Sequence, residues 1–198
     1  EAGNGVHVHC SLLDENGTNV FDDGSEEGSD LLRYAVAGCL ELLPPSMLLF
    51  APSFNAYRRF QPGNHAPTES AWGYDNRTTA IRIPESPTTA RRIEHRVPGA
   101  DANPYLVLAA VLAGIWHGVE HTLSPPSPID GNAWDQEIDS PALPATMDEA
   151  ISVFDKSEIL SKYLTEEFKT LFLATKVQEW NEFAKHVTEF ELETYLRM

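Results

Sequence analysis

Three short segments alternate apolar and polar residues with a period of two, the pattern that predicts β-strands. They span residues 6–13, 80–83 and 92–97. Because successive side chains of a strand point to opposite faces, the first segment places His7, His9 and Ser11 on one face. The turn sequence Asn16-Gly17 follows it and predicts that residues 19–21 pair back as a hairpin.

The third alternating segment carries charge on only one of its two faces. Arg92, Glu94 and Arg96 fall on one side of the predicted strand, and His95 falls on the other between two aliphatic residues. In the second segment, Arg82 similarly stands opposite two isoleucines. A face of arginine and glutamate is unusual for a core sheet. We therefore expect these strands to line a polar cavity, with His95 packed on the opposite side.

Apolar positions at helical spacing, bounded by capping residues, predict helices in much of the remaining chain. These helices span residues 30–43, 105–121, 146–156, 165–187 and 188–197. Pro44-Pro45 is expected to end the first of them, because proline lacks the backbone N–H that a helix requires. The second is apolar around nearly its whole circumference and is expected to be buried. Five prolines between residues 124 and 145 predict an irregular connection.

Arginine is concentrated in one stretch, residues 54–97. Seven of the nine arginines lie there, and together with four acidic residues they give the stretch a net charge of +3, whereas the chain carries −16. Any single arginine more often forms an ordinary surface salt bridge, and we expect Arg58 and Arg91 to be solvent-facing or structural. Seven together favour a site that holds small anions, since guanidinium binds carboxylate and phosphate in a bidentate manner.

Composition excludes several classes of partner. The charge of −16 opposes binding to nucleic acid, and no apolar run reaches membrane-spanning length. Only two cysteines are present, Cys10 and Cys39, and no secretion signal is visible. A cytoplasmic location without nucleic-acid or membrane partners is therefore expected. The opening residues have the character of a domain interior, so we also expect the chain to be part of a longer protein.

Five motifs, in order, resemble the C-terminal part of the glutamine synthetase catalytic domain. They are Gly3-Asn-Gly-Val-His-Val-His-Cys-Ser-Leu12, Asn55-Ala-Tyr-Arg-Arg59 with Pro62-Gly63 and Ala66-Pro67, Asn76-Arg77 with Ile81-Arg82-Ile-Pro84, Arg91-Arg-Ile-Glu-His-Arg96, and Ala102-Asn-Pro-Tyr-Leu106. The resemblance is strong from residue 1 to about residue 120 and weaker in the helical tail. Each motif alone is weak evidence, but five in the same order are specific.

The resemblance implies a role for each matching residue. His7 and Glu94 would bind a divalent metal, Mg²⁺ or Mn²⁺, and Gly3, Arg59 and Arg96 would hold glutamate. The residues that would contact ATP are His9, Ser11, Arg77, Arg82 and Arg92. Arg77 and Arg82 would also stabilise the phosphoryl group during transfer. These roles agree with elementary chemistry, because phosphoryl transfer is catalysed mainly by positioning and by neutralising charge.

Two positions depart from the ammonia-using members of this family. His65 stands where their flap loop carries a glutamate, and Ala2 stands where asparagine is usual. A histidine at the flap attracts ammonium less than a glutamate does, but in its neutral form it can accept a proton, so His65 is a candidate catalytic base. The segments 75–78 and 98–105 are closer to the γ-glutamylpolyamine (γ-glutamylputrescine) synthetase branch.

The expected activity is therefore an ATP-dependent ligation of the glutamate γ-carboxylate to an amine of the polyamine type. A glutamine synthetase that uses ammonia is the first alternative. A non-catalytic relative that serves as a binding or regulatory subunit is the second, and an anion-binding module without chemistry is the third. The intact set of arginines with Glu94 argues against the second alternative, and the His-x-His strand argues against the third.

The resemblance also implies the overall architecture. We expect an α+β fold, in which an antiparallel sheet lining the active site packs against helices and is followed by a helical C-terminal part. Residues 1–198 would be the C-terminal portion of the catalytic domain. An N-terminal β-grasp domain and the first part of the catalytic domain, which carries further metal-binding glutamates, would be absent. The chain alone is therefore expected to be inactive, and the whole protein to be a ring-type homo-oligomer.

Overall fold

The computed structural model describes residues 4–61, 63–64 and 66–196. Four short strands and seven α-helices form within this part of the chain. In order they are β1 (Val8–Cys10), α1 (Asp30–Phe50), α2 (Phe54–Tyr57), β2 (Trp72–Tyr74), β3 (Ile81–Ile83), β4 (Ile93–His95), α3 (Pro104–Glu120), α4 (Met147–Lys156), α5 (Glu158–Leu164), α6 (Glu166–Ala184) and α7 (Glu189–Tyr195). The α+β class expected from the sequence is confirmed.

The four strands form one sheet in the order β1-β4-β3-β2. Strand β4 runs antiparallel to both β1 and β3, as expected, but β2 and β3 are parallel. The parallel pair arises because the loop between β2 and β3 carries the chain back to the end of the sheet at which β2 begins, so that Ile81 pairs with Trp72. Asn76 organises this loop by accepting bonds from Thr78 and donating its amide to the carbonyls of Ile129 and Gly131. The expected hairpin after β1 also forms, through a bridge between Leu13 and Asn19.

Helix α1 does not end at the proline pair but continues through Pro44 and Pro45 to Phe50. Pro44 cannot donate to the carbonyl of Leu40, and this buried carbonyl accepts a bond of 2.8 Å from the Ser70 hydroxyl instead. Ser70 is only 3% exposed. A side chain distant in sequence thus replaces one of the two helical hydrogen bonds that Pro44 and Pro45 cannot make. The expected helix end was therefore wrong.

Ser70→Ala should lower the free energy of unfolding by about 1–3 kcal/mol, because the buried Leu40 carbonyl would lose its partner. Ser46→Ala is a matched control. Ser46 lies in α1, as Leu40 does; it is fully buried, and its hydroxyl has no hydrogen-bond partner among the described residues. That variant should be neutral or slightly stabilising. Urea-induced unfolding of the two variants tests this difference. Equal changes in the free energy of unfolding would contradict the idea that the Ser70 hydroxyl replaces the missing helical bond to Leu40.

Helices α1 and α3 cross at very short distance. A Cβ atom added to Gly38 would lie 2.1 Å from the Gly114 carbonyl oxygen, and one added to Gly118 would lie 1.8 Å from the Tyr34 carbonyl oxygen. The glycines therefore allow the backbones of α1 and α3 to pack directly against each other.

Helix α3 is not buried all round, contrary to the expectation. Its outer face exposes large side chains at helical spacing, namely Tyr105, Leu108, Leu112 and Trp116. No helix among the described residues is long and apolar enough to cross a membrane.

The C-terminal helices support the start of the arginine-rich stretch. The Phe54 ring at the beginning of α2 stacks on Phe183 and on Trp180 of α6, with ring centroids 3.7 Å and 5.0 Å away. The Lys176 ammonium of the same helix donates to the Pro52 carbonyl at 2.9 Å. Helix α6 ends at residue 184, slightly before the expected 187, and α5 was not expected. Thr146 and Thr188 are each followed three residues later by Glu, a pattern that predicts a capping box at α4 and at α7. The box forms at α7 between Thr188 and Glu191, whereas the Thr146 side chain makes no capping hydrogen bond at α4.

Candidate active site

The sheet aligns three functional side chains across neighbouring strands. In the observed register, Glu94 of β4 pairs with His9 of β1 on one side and with Arg82 of β3 on the other. Paired residues share a face of the sheet, so these three side chains form a row. His7 and Arg96 lie two residues from members of this row and project to the same side. The alternation in the sequence predicted this face correctly.

Glu94 is at the centre of the cluster and is only 3% exposed. Its Oε2 accepts a bond of 2.8 Å from Arg82 Nη1, and its Oε1 accepts one of 3.0 Å from Arg96 Nη1. The Nδ1 atom of His7 lies 3.0 Å from the same Oε1. Burial tends to raise the pKa of the Glu94 carboxyl, but the two guanidinium groups outweigh burial and hold the pKa below its usual value. The carboxylate is therefore ionised and joins two guanidinium groups and one imidazole.

Arg96 is 7% exposed, and its Nη2 donates a bond of 2.8 Å to the Arg77 carbonyl. Its Nε is buried without a hydrogen-bond partner among the described residues. Burial lowers the pKa of the guanidinium, although Glu94 opposes that effect. A buried guanidinium with a free donor has capacity to bind a further anion. The Arg77 side chain is exposed, so the structure places that residue beside the cluster through its backbone.

His9 is oriented by Arg92. The Arg92 Nε donates to His9 Nδ1 at 3.2 Å, and because arginine is always a donor, Nδ1 must be the acceptor. The proton of the neutral imidazole then resides on Nε2, which lies 3.8 Å from Glu94 Oε1. His9 is exposed and presents an N–H donor at the edge of the cluster. Ser11 follows β1 by one residue and is also exposed, without a side-chain bond to the cluster.

Arg59 approaches the cluster from the turn after α2. Its Nη2 donates a bond of 2.6 Å to the Val97 carbonyl, and its guanidinium lies 4.5 Å above the ring centre of Phe60. Arg59 Nη1 and His7 Nε2 lie 3.4 Å and 3.8 Å from the point where a Cβ atom on Gly5 would stand. Burial lowers the pKa of Arg59, against the influence of the Asp101 carboxylate. The absence of a side chain at Gly5 thus leaves the space between Arg59 and His7 open.

Two expected site residues, Gly3 and His65, lie outside the described residues. Arg91 and His95, which were not expected to take part in the site, both have structural contacts. Arg91 is buried and donates to the carbonyls of Ser25 and Glu26, so it holds the acidic loop that precedes α1. His95 is buried against Phe50, with ring centroids 4.7 Å apart, and burial lowers its pKa to about 3.

The sequence reasoning missed two acidic residues that act on expected site arginines, one by direct contact and one through its charge. Asp75 pairs with Arg82, and the Asp101 carboxylate acts on Arg59. Asp101 also accepts a bond of 2.7 Å from the Ser53 hydroxyl. No sequence signal points to Asp101, which lies far from Arg59 in the chain. Asp75 stands in the Asp75-Asn-Arg motif seven residues before Arg82, but the spacing alone does not reveal a contact.

The geometry of His7 and Glu94 fits two ligands of a hard divalent cation. Neighbouring ligand atoms of an octahedral Mg²⁺ lie about 3 Å apart, given metal–ligand distances of about 2.0–2.1 Å. The observed separation of 3.0 Å between His7 Nδ1 and Glu94 Oε1 matches this value. Across residues 4–61, 63–64 and 66–196, no group of three or more His, Cys, Asp or Glu side chains is arranged to hold a metal. The pair therefore fits part of a metal site.

Comparisons with known proteins identify the family of the chain. The family model of the glutamine synthetase catalytic domain matches residues 1–195. Gamma-glutamylputrescine synthetase PuuA of Escherichia coli (strain K12) is 43% identical over 196 residues, which cover 99% of this chain and 41% of that protein. Gamma-glutamylethanolamide synthetase GlnA4 of Streptomyces coelicolor is 39% identical over 190 residues, covering 96% and 40% of the two proteins.

More distant relatives have the same relation to the chain. The glutamine synthetase of Thermotoga maritima is 33% identical over 201 residues, covering 98% of this chain and 46% of that protein. A solved structure of apo GmaS without ligand superposes with a TM-score of 0.88 at 29% identity, covering 99% of this chain and 45% of the other. The chain thus spans about 40–46% of the length of these curated relatives. It belongs to the glutamine synthetase family.

Proposed function

We propose that the complete gene product containing this chain joins the γ-carboxylate of glutamate to an amine, at the expense of ATP. The observation that carries the proposal is the buried Glu94 carboxylate with Arg82, Arg96 and His7 around it. Such a cluster concentrates positive charge and a metal-ligand pair at one point, which suits the transfer of a phosphoryl group between two anions. Family membership supports the same class of reaction.

In the first step, an oxygen of the glutamate γ-carboxylate attacks the γ-phosphorus of ATP, and ADP leaves. The product is γ-glutamyl phosphate. Arg82 and Arg77 would neutralise charge on the transferred group, while His9, Ser11 and Arg92 would contact the nucleotide. Arg59 and Arg96 would hold the glutamate carboxylates. Each of these roles uses the donor capacity of the side chain and requires no covalent bond to the protein.

In the second step, the nitrogen of the neutral amine attacks the acyl carbon of γ-glutamyl phosphate. Inorganic phosphate leaves, the C–N bond of the amide forms, and the nitrogen loses a proton. His65 is the proposed acceptor of that proton, because a neutral imidazole is a base at physiological pH. The summed reaction consumes one ATP and yields ADP, phosphate and a γ-glutamyl amide.

His7 and Glu94 are the residues that would hold a divalent cation, Mg²⁺ or Mn²⁺. When bound, such an ion neutralises phosphate charge and orients phosphate oxygens. The chain's own contribution is to keep the carboxylate ionised and the imidazole directed towards it, at 3.0 Å. Since only two ligands come from the described residues, the remaining ligands would have to come from elsewhere in the complete protein. We therefore propose that the 198-residue chain alone does not turn over.

An amine, rather than ammonia, is the proposed acceptor. The relative at 43% identity is named a gamma-glutamylputrescine synthetase, and relatives at 39% and 37% are named for ethanolamide and isopropylamine, while glutamine synthetases stand at 33%, 35% and 40% identity. The replacement of the flap glutamate by His65 supports the same choice. A diamine such as putrescine is our first candidate. We further propose that the chain is the C-terminal portion of the catalytic domain in a ring-type homo-oligomer acting in the cytoplasm.

The test is ATP-dependent phosphate release by the complete gene product, with glutamate and either Mg²⁺ or Mn²⁺. Parallel reactions would contain putrescine, spermidine, ethylamine, ethanolamine, ammonium or no acceptor. We expect release with a polyamine and little release with ammonium. Release with ammonium alone would identify a glutamine synthetase and would refute the proposed role of His65. No release with any acceptor would leave the non-catalytic relative as the better explanation.

A further inference from the structure

Arg82 is held from two sides by carboxylates on different segments. Its Nη1 donates to Glu94 Oε2 at 2.8 Å, while its Nε donates to Asp75 Oδ1 at 3.2 Å and its Nη2 pairs with the same Asp75 oxygen. All three guanidinium nitrogens therefore have a carboxylate partner. The arginine side chain is 12% exposed, whereas that of Asp75 is 51% exposed. The guanidinium plane is thus fixed inside the site by a residue at its rim.

Asp75 is itself held in place by backbone bonds. Its own N–H donates to the Ile83 carbonyl at 2.8 Å, and the N–H of Glu85 approaches its Oδ1 at 3.5 Å. Its φ of 46° lies in the left-handed region, which a non-glycine residue seldom adopts. The Asn76 side chain next to it is anchored to two backbone carbonyls. The carboxylate therefore has a defined position relative to β3.

Removal of the Asp75 carboxylate would leave Arg82 with Glu94 as its only partner among these contacts. The guanidinium would then be free to rotate and to form a bidentate pair with Glu94. This pairing would draw the guanidinium away from an incoming phosphoryl group. A shift of about 1 Å in a positioning group can reduce a rate by about 100-fold. Ground-state binding of glutamate would change little, since Arg59 and Arg96 do not contact Asp75.

We propose that Asp75 is a positioning residue, which fixes the orientation of the Arg82 guanidinium for phosphoryl transfer. This inference rests on the proposed function. It assigns Asp75 a hydrogen-bonding role and not merely a charge: the Oδ1 atom that accepts from Nε and Nη2 has a counterpart in the amide oxygen of asparagine. The conservative variant should therefore retain what the alanine variant loses.

The experiment compares Asp75→Ala, Asp75→Asn and the control Glu85→Ala in the complete gene product. Glu85 is an exposed neighbouring carboxylate whose backbone, and not its side chain, touches Asp75. For each variant, phosphate release gives kcat and the KM for glutamate, and calorimetry gives Tm. We expect kcat to fall about 100-fold for Asp75→Ala but only a few-fold for Asp75→Asn, with KM close to that of the parent in both. Tm should stay close to that of the parent for Asp75→Asn and fall for Asp75→Ala, because asparagine adopts the left-handed conformation at residue 75 more readily than alanine does.

Several outcomes would overturn the inference. Asp75→Ala with unchanged kcat would show that Arg82 needs no second partner. Equal losses in Asp75→Ala and Asp75→Asn would assign the effect to charge, and a large fall in Tm for Asp75→Asn would assign it to folding. If the parent protein is active while Asp75→Ala is unaffected, only this inference fails. If the parent releases no phosphate with any acceptor, the proposed function fails and this inference fails with it.

Discussion

Replacement of Glu94 by glutamine should destabilise the protein by about 3–5 kcal/mol and abolish measurable turnover. Breaking a buried ion pair by removing one partner costs about that much, because the other charge stays buried without compensation. Here two guanidinium groups, those of Arg82 and Arg96, would lose their shared carboxylate. An amide offers one acceptor oxygen in place of two, and its NH₂ group would face a donor. The variant would also lose one of the two metal-ligand candidates.

The measurement is the urea midpoint of unfolding, together with phosphate release, in the complete gene product. Glu85→Gln is the matched control, because it removes one negative charge from an exposed position of the same stretch. It should shift stability by less than about 0.5 kcal/mol. Comparable effects of the two substitutions would contradict the central role that we assign to Glu94. If the Glu94→Gln protein is stable but inactive, the chemical role of Glu94 stands and the predicted loss of stability is refuted.

Gly118→Ala should lower the free energy of unfolding by about 1–3 kcal/mol or more. This effect is opposite in sign to the one that the substitution usually has in a helix. Glycine to alanine inside an exposed helix normally stabilises by about 1 kcal/mol. At Gly118, however, the new methyl group would lie 1.8 Å from the Tyr34 carbonyl oxygen and 2.8 Å from the Gly38 nitrogen. Both are backbone atoms, so relief requires that α1 and α3 separate, and overpacking of this kind is costly.

A graded series gives the test its own control. A Cβ atom on Gly38 would meet the Gly114 carbonyl oxygen at 2.1 Å, whereas one on Gly114 would meet the Cys39 Cα at 3.0 Å. The loss of thermal stability should therefore be large for Gly118→Ala and Gly38→Ala and smaller for Gly114→Ala. Calorimetry on the three variants measures this order. A rise in Tm for Gly118→Ala would show that the two helices do not cross at this distance.

Local patterns in the sequence predicted the elements that depend on nearby residues. The alternation in residues 92–97 placed Glu94 and Arg96 in the site and His95 in the core, because strand geometry alone determines those faces. The capping box predicted at Thr188 was confirmed, but the one predicted at Thr146 from the same local pattern was wrong. The motifs of the family then connected these faces to phosphoryl-transfer chemistry.

Features that depend on distant contacts were not predictable in this way. The continuation of α1 through Pro44 depends on Ser70, and the parallel pairing of β2 depends on carbonyls near residue 130. The same holds inside the candidate site. Asp75 reaches Arg82 only because of that parallel pairing, which places Gly73 opposite Arg82. A sequence pattern cannot report such contacts, because the two partners belong to different periodic segments.

The stacking of Phe54 on two aromatic residues of α6 has a consequence for the order in which the candidate site forms during translation. Pro52 and Lys176 are separated by 124 positions, so their contact cannot form until the helix leaves the ribosome. At about 5–20 residues per second, that delay is roughly 6–25 s. The turn that carries Arg59 would remain without its aromatic support throughout this interval. Arg59, which we propose holds a glutamate carboxylate, would thus gain this support only after α6 has been synthesised.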